Sequence, residues 1–432
     1  MKPRLKPWKT GLYIHIPYCK MMCHYCDFAK TANWNQTKTT EFFSALMAHT
    51  QAWLDVLKAN GFRPVFHSVN IGGGTPSLFT TDYQPLMALI QPWLSPDCEI
   101  SIEANPDDIT KESLTFWKDL GFNRMSVGVQ TFQEQGLKFL KRSHNSEQAR
   151  SAIELAGHYF DQLNVDLIYS WPGQTPEQWA EDLDACLSLP VTHLSLYNLT
   201  FAPGTPIGRA HARGKIKEQH EDLQDSYYQY ARNRLKEKSW LHDEVSNWSL
   251  SEKHSCKHNW IYWQGDSYLG IGPGAHGFLP LGGPEGLRYF YPSNESNFRK
   301  KTELISQQLT QDIFDQAQET VQGKLVTVEH DRTLESWLFE YIGCGLRSRK
   351  GIDPDLIFQK TGQSFSPNET ISEAIKEKII RLTDTHISLS EDEWFRETAW
   401  SFALTECFST QKSHTASSPD PSRNNSPAPQ KI

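Results

Sequence analysis

Tyr13-Ile-His-Ile-Pro-Tyr-Cys-Lys-Met-Met-Cys-His-Tyr-Cys-Asp-Phe28 is the stretch whose reading decides the fold. It places Cys19, Cys23 and Cys26 on a loop just after an apolar strand. Three thiolates this close can hold three irons of a cubane cluster and leave the fourth iron open. An open iron accepts an exchangeable ligand, so the motif implies chemistry or ligand binding rather than electron storage alone. The competing reading is a structural zinc site completed by His15 or His24. The other five cysteines, Cys98, Cys186, Cys256, Cys344 and Cys407, are scattered and form no disulfide pattern. That usage suits a reducing cytoplasm, where oxygen-sensitive clusters also survive best.

Outward from this loop, short apolar strand-like runs at 12–16, 68–71, 99–104, 124–129, 163–169 and 193–199 alternate with amphipathic helical patterns at 40–59, 109–120, 146–159 and 175–189. Alternation of this kind means parallel strands joined by right-handed crossovers. Six βα units fit an open barrel or a doubly wound sheet. The barrel is favoured because polar residues recur at the C-terminal ends of the strands, where barrel active sites are built. Cys19 follows the first strand, Gly72-Gly73-Gly74-Thr75 the second, Glu103 and Asn105 the third and Gln130 the fourth; Asp166 lies in the fifth and Asn198 ends the sixth. The expected fold is α/β, a partial (β/α)6 barrel over residues 10–205, preceded by a short extension at 1–9. A linker helix and a smaller, mostly helical domain follow at 206–408. The tail, 409–432, is too poor in apolar residues to bury a core and is expected to be disordered. The 432 residues carry a net charge of −8, which argues against a general nucleic-acid surface. No apolar run approaches the roughly 18 residues a membrane span needs, which leaves peripheral membrane contact at most. The chain reads as cytoplasmic.

Glycine lets a backbone approach a ligand closely, so Asn70-Ile-Gly-Gly-Gly-Thr-Pro-Ser77 carries the next weight, although a triple glycine after a strand is also a tight turn. Glu103 and Asp166 are carboxylates in otherwise apolar strands and hence site candidates, with a structural salt bridge as the plainer reading. Gln130 and Arg142 could supply an amide and a guanidinium to a ribose, a carboxylate or a porphyrin propionate. Taken alone, Arg142 reads as a solvated helix residue.

Together these segments resemble the radical S-adenosylmethionine (SAM) superfamily, and within it the HemN/HemW group: oxygen-independent coproporphyrinogen III oxidase and its relatives. The resemblance runs through Tyr-Ile-His-Ile-Pro-Tyr-Cys, Gly-Gly-Gly-Thr-Pro-Ser, Ile-Glu-Ala-Asn-Pro, Arg-Met-Ser-Val-Gly-Val-Gln-Thr-Phe, Val-Asp-Leu-Ile-Tyr and Leu-Tyr-Asn-Leu, from about residue 11 to 200. It continues more weakly through Gly270–Gly277 and Gly345–Asp353. The resemblance implies a 4Fe-4S cluster on Cys19, Cys23 and Cys26 with the aromatic Tyr25 beside it. It implies SAM held by Tyr13, Gly73, Gly74, Thr75 and Glu103, and a second SAM position at Gln130, Arg142 and Asp166.

Within the group the choice lies between an enzyme and a haem carrier. The oxidase has a fourth cysteine two residues after the third, where this chain has Phe28, and a long extension ahead of its cluster, where only 18 residues precede Cys19. Both departures point to the HemW branch of haem chaperones. So does His258-Asn-Trp-Ile-Tyr-Trp263, which matches that branch's HNxxYW motif. Physically, His258 offers an axial nitrogen to haem iron, with Tyr262 and Trp263 as flat apolar surface. The same hexapeptide alone reads as a packed aromatic strand. The expected function is binding of haem and delivery to an acceptor protein of unknown identity, with decarboxylation of coproporphyrinogen III as the alternative.

Overall fold

The computed structural model describes residues 6–281, 283–300, 305, 309–310, 325–329 and 332–410. Strands β1 (Lys6–Ile16), β2 (Phe62–Gly73), β3 (Leu94–Ala104), β4 (Arg124–Gln130), β5 (Gln162–Tyr169) and β6 (His193–Asn198) lie side by side in chain order, each parallel to the next. Helices α1 (Gln36–Ala59), α2 (Tyr83–Ile90), α3 (Lys111–Asp119), α4 (Glu134–Leu140), α5 (Ser146–Gly157) and α6 (Pro176–Leu187) form the connections. Local sequence starts them sharply. Thr110, Asn145 and Thr175 cap α3, α5 and α6, each in a reciprocal box with the residue three positions on.

Side chains alternate across each strand. Leu12, Ile14, Val69, Ile71, Ile100, Ile102, Val127, Val165 and Leu167 face the helices and pack with Trp53, Trp117 and Trp179. Their neighbours Ser101, Glu103, Ser126, Asn164, Asp166 and Ser195 line an interior cavity of about 540 Å³. The apolar positions therefore bind the helical layer, and the polar ones build the site.

The barrel is left open: β1 and β6 pair outward with later strands rather than with each other. After α7 (Pro206–Ala212) and α8 (Glu221–Glu237), β7 (Leu241–Glu244) and β8 (Asn247–Ser249) extend the sheet beyond β6. Helix α9 (Lys257–Trp263) follows, and β9 (Tyr268–Ile271) then runs parallel beside β1. Strands β10 (His276–Leu279), β11 (Leu287–Phe290) and β12 (Thr327–Val328) continue outward from β9. The region expected as a separate, mostly helical domain from 206 onward thus supplies six strands to the barrel's own sheet. A second core takes Phe278 from β10 and otherwise lies beyond Thr333. It is built from the helices Leu334–Leu346, Pro354–Thr361, Glu369–Lys376 and Glu397–Thr405 and the hairpin Ile380–Leu382/Ile387–Leu389, around Trp337, Tyr341 and Trp394.

The expected extension at 1–9 is already part of β1 from Lys6; residues 1–5 lie outside the described residues. The expected tail begins inside a strand, Phe408–Thr410, paired with Gln363–Phe365; residues 411–432 lie outside the described residues. Among the described residues no helix is long and apolar enough to cross a membrane.

Candidate cluster and cofactor site

The cysteine loop is tied down at both ends. Gly74 N–H donates to Ile16 O at 2.7 Å, Cys19 N–H to Thr31 O at 3.0 Å, and Trp34 Nε1 to Cys19 O at 2.9 Å. Farther along, His24 N–H reaches Leu140 O at 3.4 Å, and its carbonyl accepts from Ile207 N–H at 3.2 Å. Cys19 is buried, Cys23 and Cys26 are half-buried, and all three are free thiols lining the cavity. Among the described residues, no three His, Cys, Asp or Glu side chains converge on one point as a single metal ion requires. His15 is also spoken for: Nδ1 bonds Tyr13 Oη at 2.9 Å and Nε2 bonds Ala29 O at 2.7 Å. Three free thiols on one loop thus face the cavity.

The glycine run forms the adjoining wall. A Cβ on Gly74 would lie 3.0 Å from Cys19 Sγ and 2.8 Å from Tyr18 O; one on Gly73, whose φ is +113°, would strike the His15 ring at 2.7 Å. Side chains are excluded here, which keeps backbone groups at the cavity surface. Gly73 N–H donates to Glu103 Oε2 at 3.1 Å. Burial, with Asp166 nearby, pushes the Glu103 carboxyl up to about 7. Thr75, buried, accepts from Asn105 Nδ2 at 3.4 Å.

Across the cavity, Asp166 is held by Ser126 Oγ at 2.8 Å and by Asn164 Nδ2 at 2.8 Å, and burial raises its carboxyl pKa. Gln130 takes the left-handed conformation, φ 74°, where β4 breaks register. A non-glycine residue there is a strained feature of the sort that gathers at binding sites. A Cβ on Gly128 beneath it would sit 2.9 Å from Gln130 Nε2 and push that side chain aside. Arg142 is not a solvated helix residue. Lys141 ends α4 in the left-handed conformation, φ 59°, and turns the chain so that the Arg142 guanidinium enters the cavity wall. There it bonds Asn105 Oδ1 at 2.5 Å and Gly128 O at 2.7 Å, and reaches Cys23 Sγ at 3.4 Å and Tyr25 Oη at 3.5 Å.

The structure thus brings Cys19, Cys23, Cys26, Tyr25, Gly73, Gly74, Thr75, Glu103, Gln130, Arg142 and Asp166 around one cavity. Tyr13 stands behind the glycine run, its hydroxyl used by His15. His258 does not line this cavity, although its neighbours Cys256 and Asn259 do, away from the three loop cysteines. Its hexapeptide forms helix α9 rather than a strand and packs against β1 and β2 at the end of the barrel opposite the cysteines. The imidazole is 2% exposed, with Nδ1 on Ser68 Oγ at 2.8 Å and Nε2 on Tyr262 Oη at 2.8 Å. In this conformation neither nitrogen is free for a haem iron. Cys256 is likewise turned inward, its sulfur on Glu99 Oε1 at 3.5 Å and its thiol pushed up to about 12 by burial. Sequence reasoning missed Ser126, Asn164 and Ser195, which hold the acids; Asn105, expected at the end of the third strand, holds Arg142. The signal was present, because Ser101/Glu103, Asn164/Asp166 and Ser195/Tyr197 each keep the two-residue period of one strand face.

Comparison with known proteins gives the family and the fold. The family model described as the radical SAM superfamily matches residues 13–186. The chain is 30% identical to the heme chaperone HemW of Bacillus subtilis, over 82% of this chain and 87% of the relative. It is 34% identical to the heme chaperone HemW of Lactococcus lactis, over 65% and 71%. Among solved structures, coproporphyrinogen III oxidase (HemN) from Escherichia coli, a radical SAM enzyme, superposes with a TM-score of 0.69, covering 93% of this chain and 91% of that one. At 20% identity that likeness is one of fold.

Proposed function

Because the chain belongs to the HemW family of radical SAM proteins, we propose that it binds haem and passes it to an acceptor protein in the cytoplasm, with a SAM-ligated 4Fe-4S cluster as its resident cofactor. The observation that carries this reading is identity to HemW relatives along most of the chain, combined with Phe28 two residues beyond Cys26, where the oxidase has its fourth cysteine. Phe28 is 60% exposed at the cavity rim, an apolar surface rather than a ligand.

Cys19, Cys23 and Cys26 would hold the cluster. When bound, the cluster supplies an open iron for the amine and carboxylate of SAM, and electrons to it. The chain's own residues do the rest. Gly73 and Gly74 admit the ligand close to the backbone, and Glu103, its carboxyl poised near neutrality, accepts hydrogen bonds from an ammonium or hydroxyl. Gln130, Arg142 and Asp166 offer an amide, a cation and an anchored acid on the facing wall. Haem ligation through His258 would require one of its two hydrogen bonds to open.

The test is one anaerobically reconstituted sample assayed twice, by haem titration and by turnover of coproporphyrinogen III. Stoichiometric haem binding without turnover is the expected result. Sustained turnover would replace the carrier with the oxidase, and a protein that binds no haem would end the chaperone reading.

A further inference from the structure

Arg142 presents an electrostatic problem. The guanidinium is enclosed by the cavity wall, and its hydrogen bonds all go to uncharged groups: the Asn105 amide, the Gly128 carbonyl, the Tyr25 hydroxyl and the Cys23 thiol. Its Nε is buried without a partner. Among the described residues no carboxylate forms an ion pair with it; the nearest acids only add attraction from a distance. Arg142 is half-buried, and a cation drawn partly out of water is costly unless an anion offsets it. The geometry also fixes its aim. Asn105 and Gly128 grip Nη2, which leaves Nη1 directed at Cys23 Sγ and Tyr25 Oη. Gly128 is part of that grip through its carbonyl, which accepts from Nη2 at 2.7 Å.

A cubane held by three thiolates is anionic, and its negative charge grows on reduction. Hydrogen bonds to the sulfurs and nearby charge are what set its potential. We infer that Arg142 is a positioning residue for the cluster: its guanidinium is the counter-charge of the reduced cluster at the cavity wall and donates a hydrogen bond to the Cys23 sulfur, raising the reduction potential. The inference rests on the cluster assignment to Cys19, Cys23 and Cys26 and on no part of the haem reading. It gives Arg142 a task that does not depend on a second SAM.

The experiment is an EPR-monitored redox titration of the reconstituted full chain without SAM, alongside iron and sulfide analysis, for wild type, Arg142→Lys and Arg142→Gln. The potential should fall in both variants, further in Arg142→Gln, which loses charge and donor geometry, than in Arg142→Lys, which keeps the charge. Arg142→Gln with full iron content and an unchanged potential would overturn the inference. If Arg142→Gln does not take up iron, Arg142→Lys and Asn105→Ala carry the test. Asn105→Ala releases one of the grips on Nη2 and should also lower the potential; wild-type potentials in both would overturn the inference equally. Wild-type protein that takes up no iron would fail the cluster assignment itself, a result read from the analysis before any titration.

Discussion

The two ends of the barrel use similar side chains for opposite purposes. At the end opposite the cysteines, Glu99 receives the Lys257 and His258 amides at 3.1 Å each, lies 3.6 Å from Arg124 and accepts from Cys256. Its carboxylate thus caps α9, and His258 spends both ring nitrogens within the protein. Two buried atoms, Arg124 Nη2 and His193 Nε2, are left over there, and both residues face the inner end of the same cavity. At the cysteine end, three thiols are free, Arg142 has no anionic partner, Glu103 is ionised only with difficulty, and glycines keep the wall bare. Satisfied polar groups hold a fold together, whereas unsatisfied ones mark where something else binds. The cysteine end should therefore respond to substitution in its ligands, and the opposite end in its stability.

The largest effect is expected at the cysteine end. Cys23→Ser should abolish the reconstituted cluster absorption and leave the melting temperature of the cluster-free protein unchanged, while Cys98→Ser should retain full iron content. A Cys23→Ser protein with wild-type iron would break the contrast at once.

At the opposite end, His258→Ala leaves Ser68 and Tyr262 without partners and opens a cavity. The expected cost is about 2–4 kcal/mol in denaturant unfolding, with iron uptake retained. Unchanged stability together with lost haem binding would instead move His258 into the functional site.

Glu103→Gln sharpens the comparison by its sign. The native carboxyl titrates near 7 against about 4.3 in an unfolded chain, so its ionised form costs stability. That cost is absent below the unfolded value, grows as pH rises towards 7 and is complete above it. Above about pH 8 the Gln variant should be more stable than wild type by roughly 1–3 kcal/mol, the difference vanishing near about pH 4. SAM affinity should fall at the same time. A variant less stable than wild type at high pH would mean that Glu103 is a structural acid.

Much of this organisation was legible in the sequence, for physical reasons. Strands of a parallel sheet are apolar runs, and those expected at 163–169, 193–199 and 124–129 differ from β5, β6 and β4 by a residue at one end. The early halves of β1 and β2 carry Lys9, Arg63 and His67 and lack that signal. The late strands β7 to β12 are two to four residues long and return to both sheet edges, a long-range choice that no local pattern encodes. The cysteine loop could be read because its ligands are neighbours in sequence. The placement of His258 could not, because Ser68 lies 190 residues away. Arg142 was hidden by a single left-handed residue, Lys141, which turns it from solvent to the cavity wall.

The most direct test of the cysteine end is the EPR spectrum of the reduced, reconstituted protein with and without SAM, repeated on Gly73→Val. SAM should shift the wild-type signal by occupying the open iron, and the shift should weaken in Gly73→Val, where a side chain would meet the His15 ring. A wild-type spectrum left untouched by saturating SAM would contradict the assignment of this cavity as a radical SAM site.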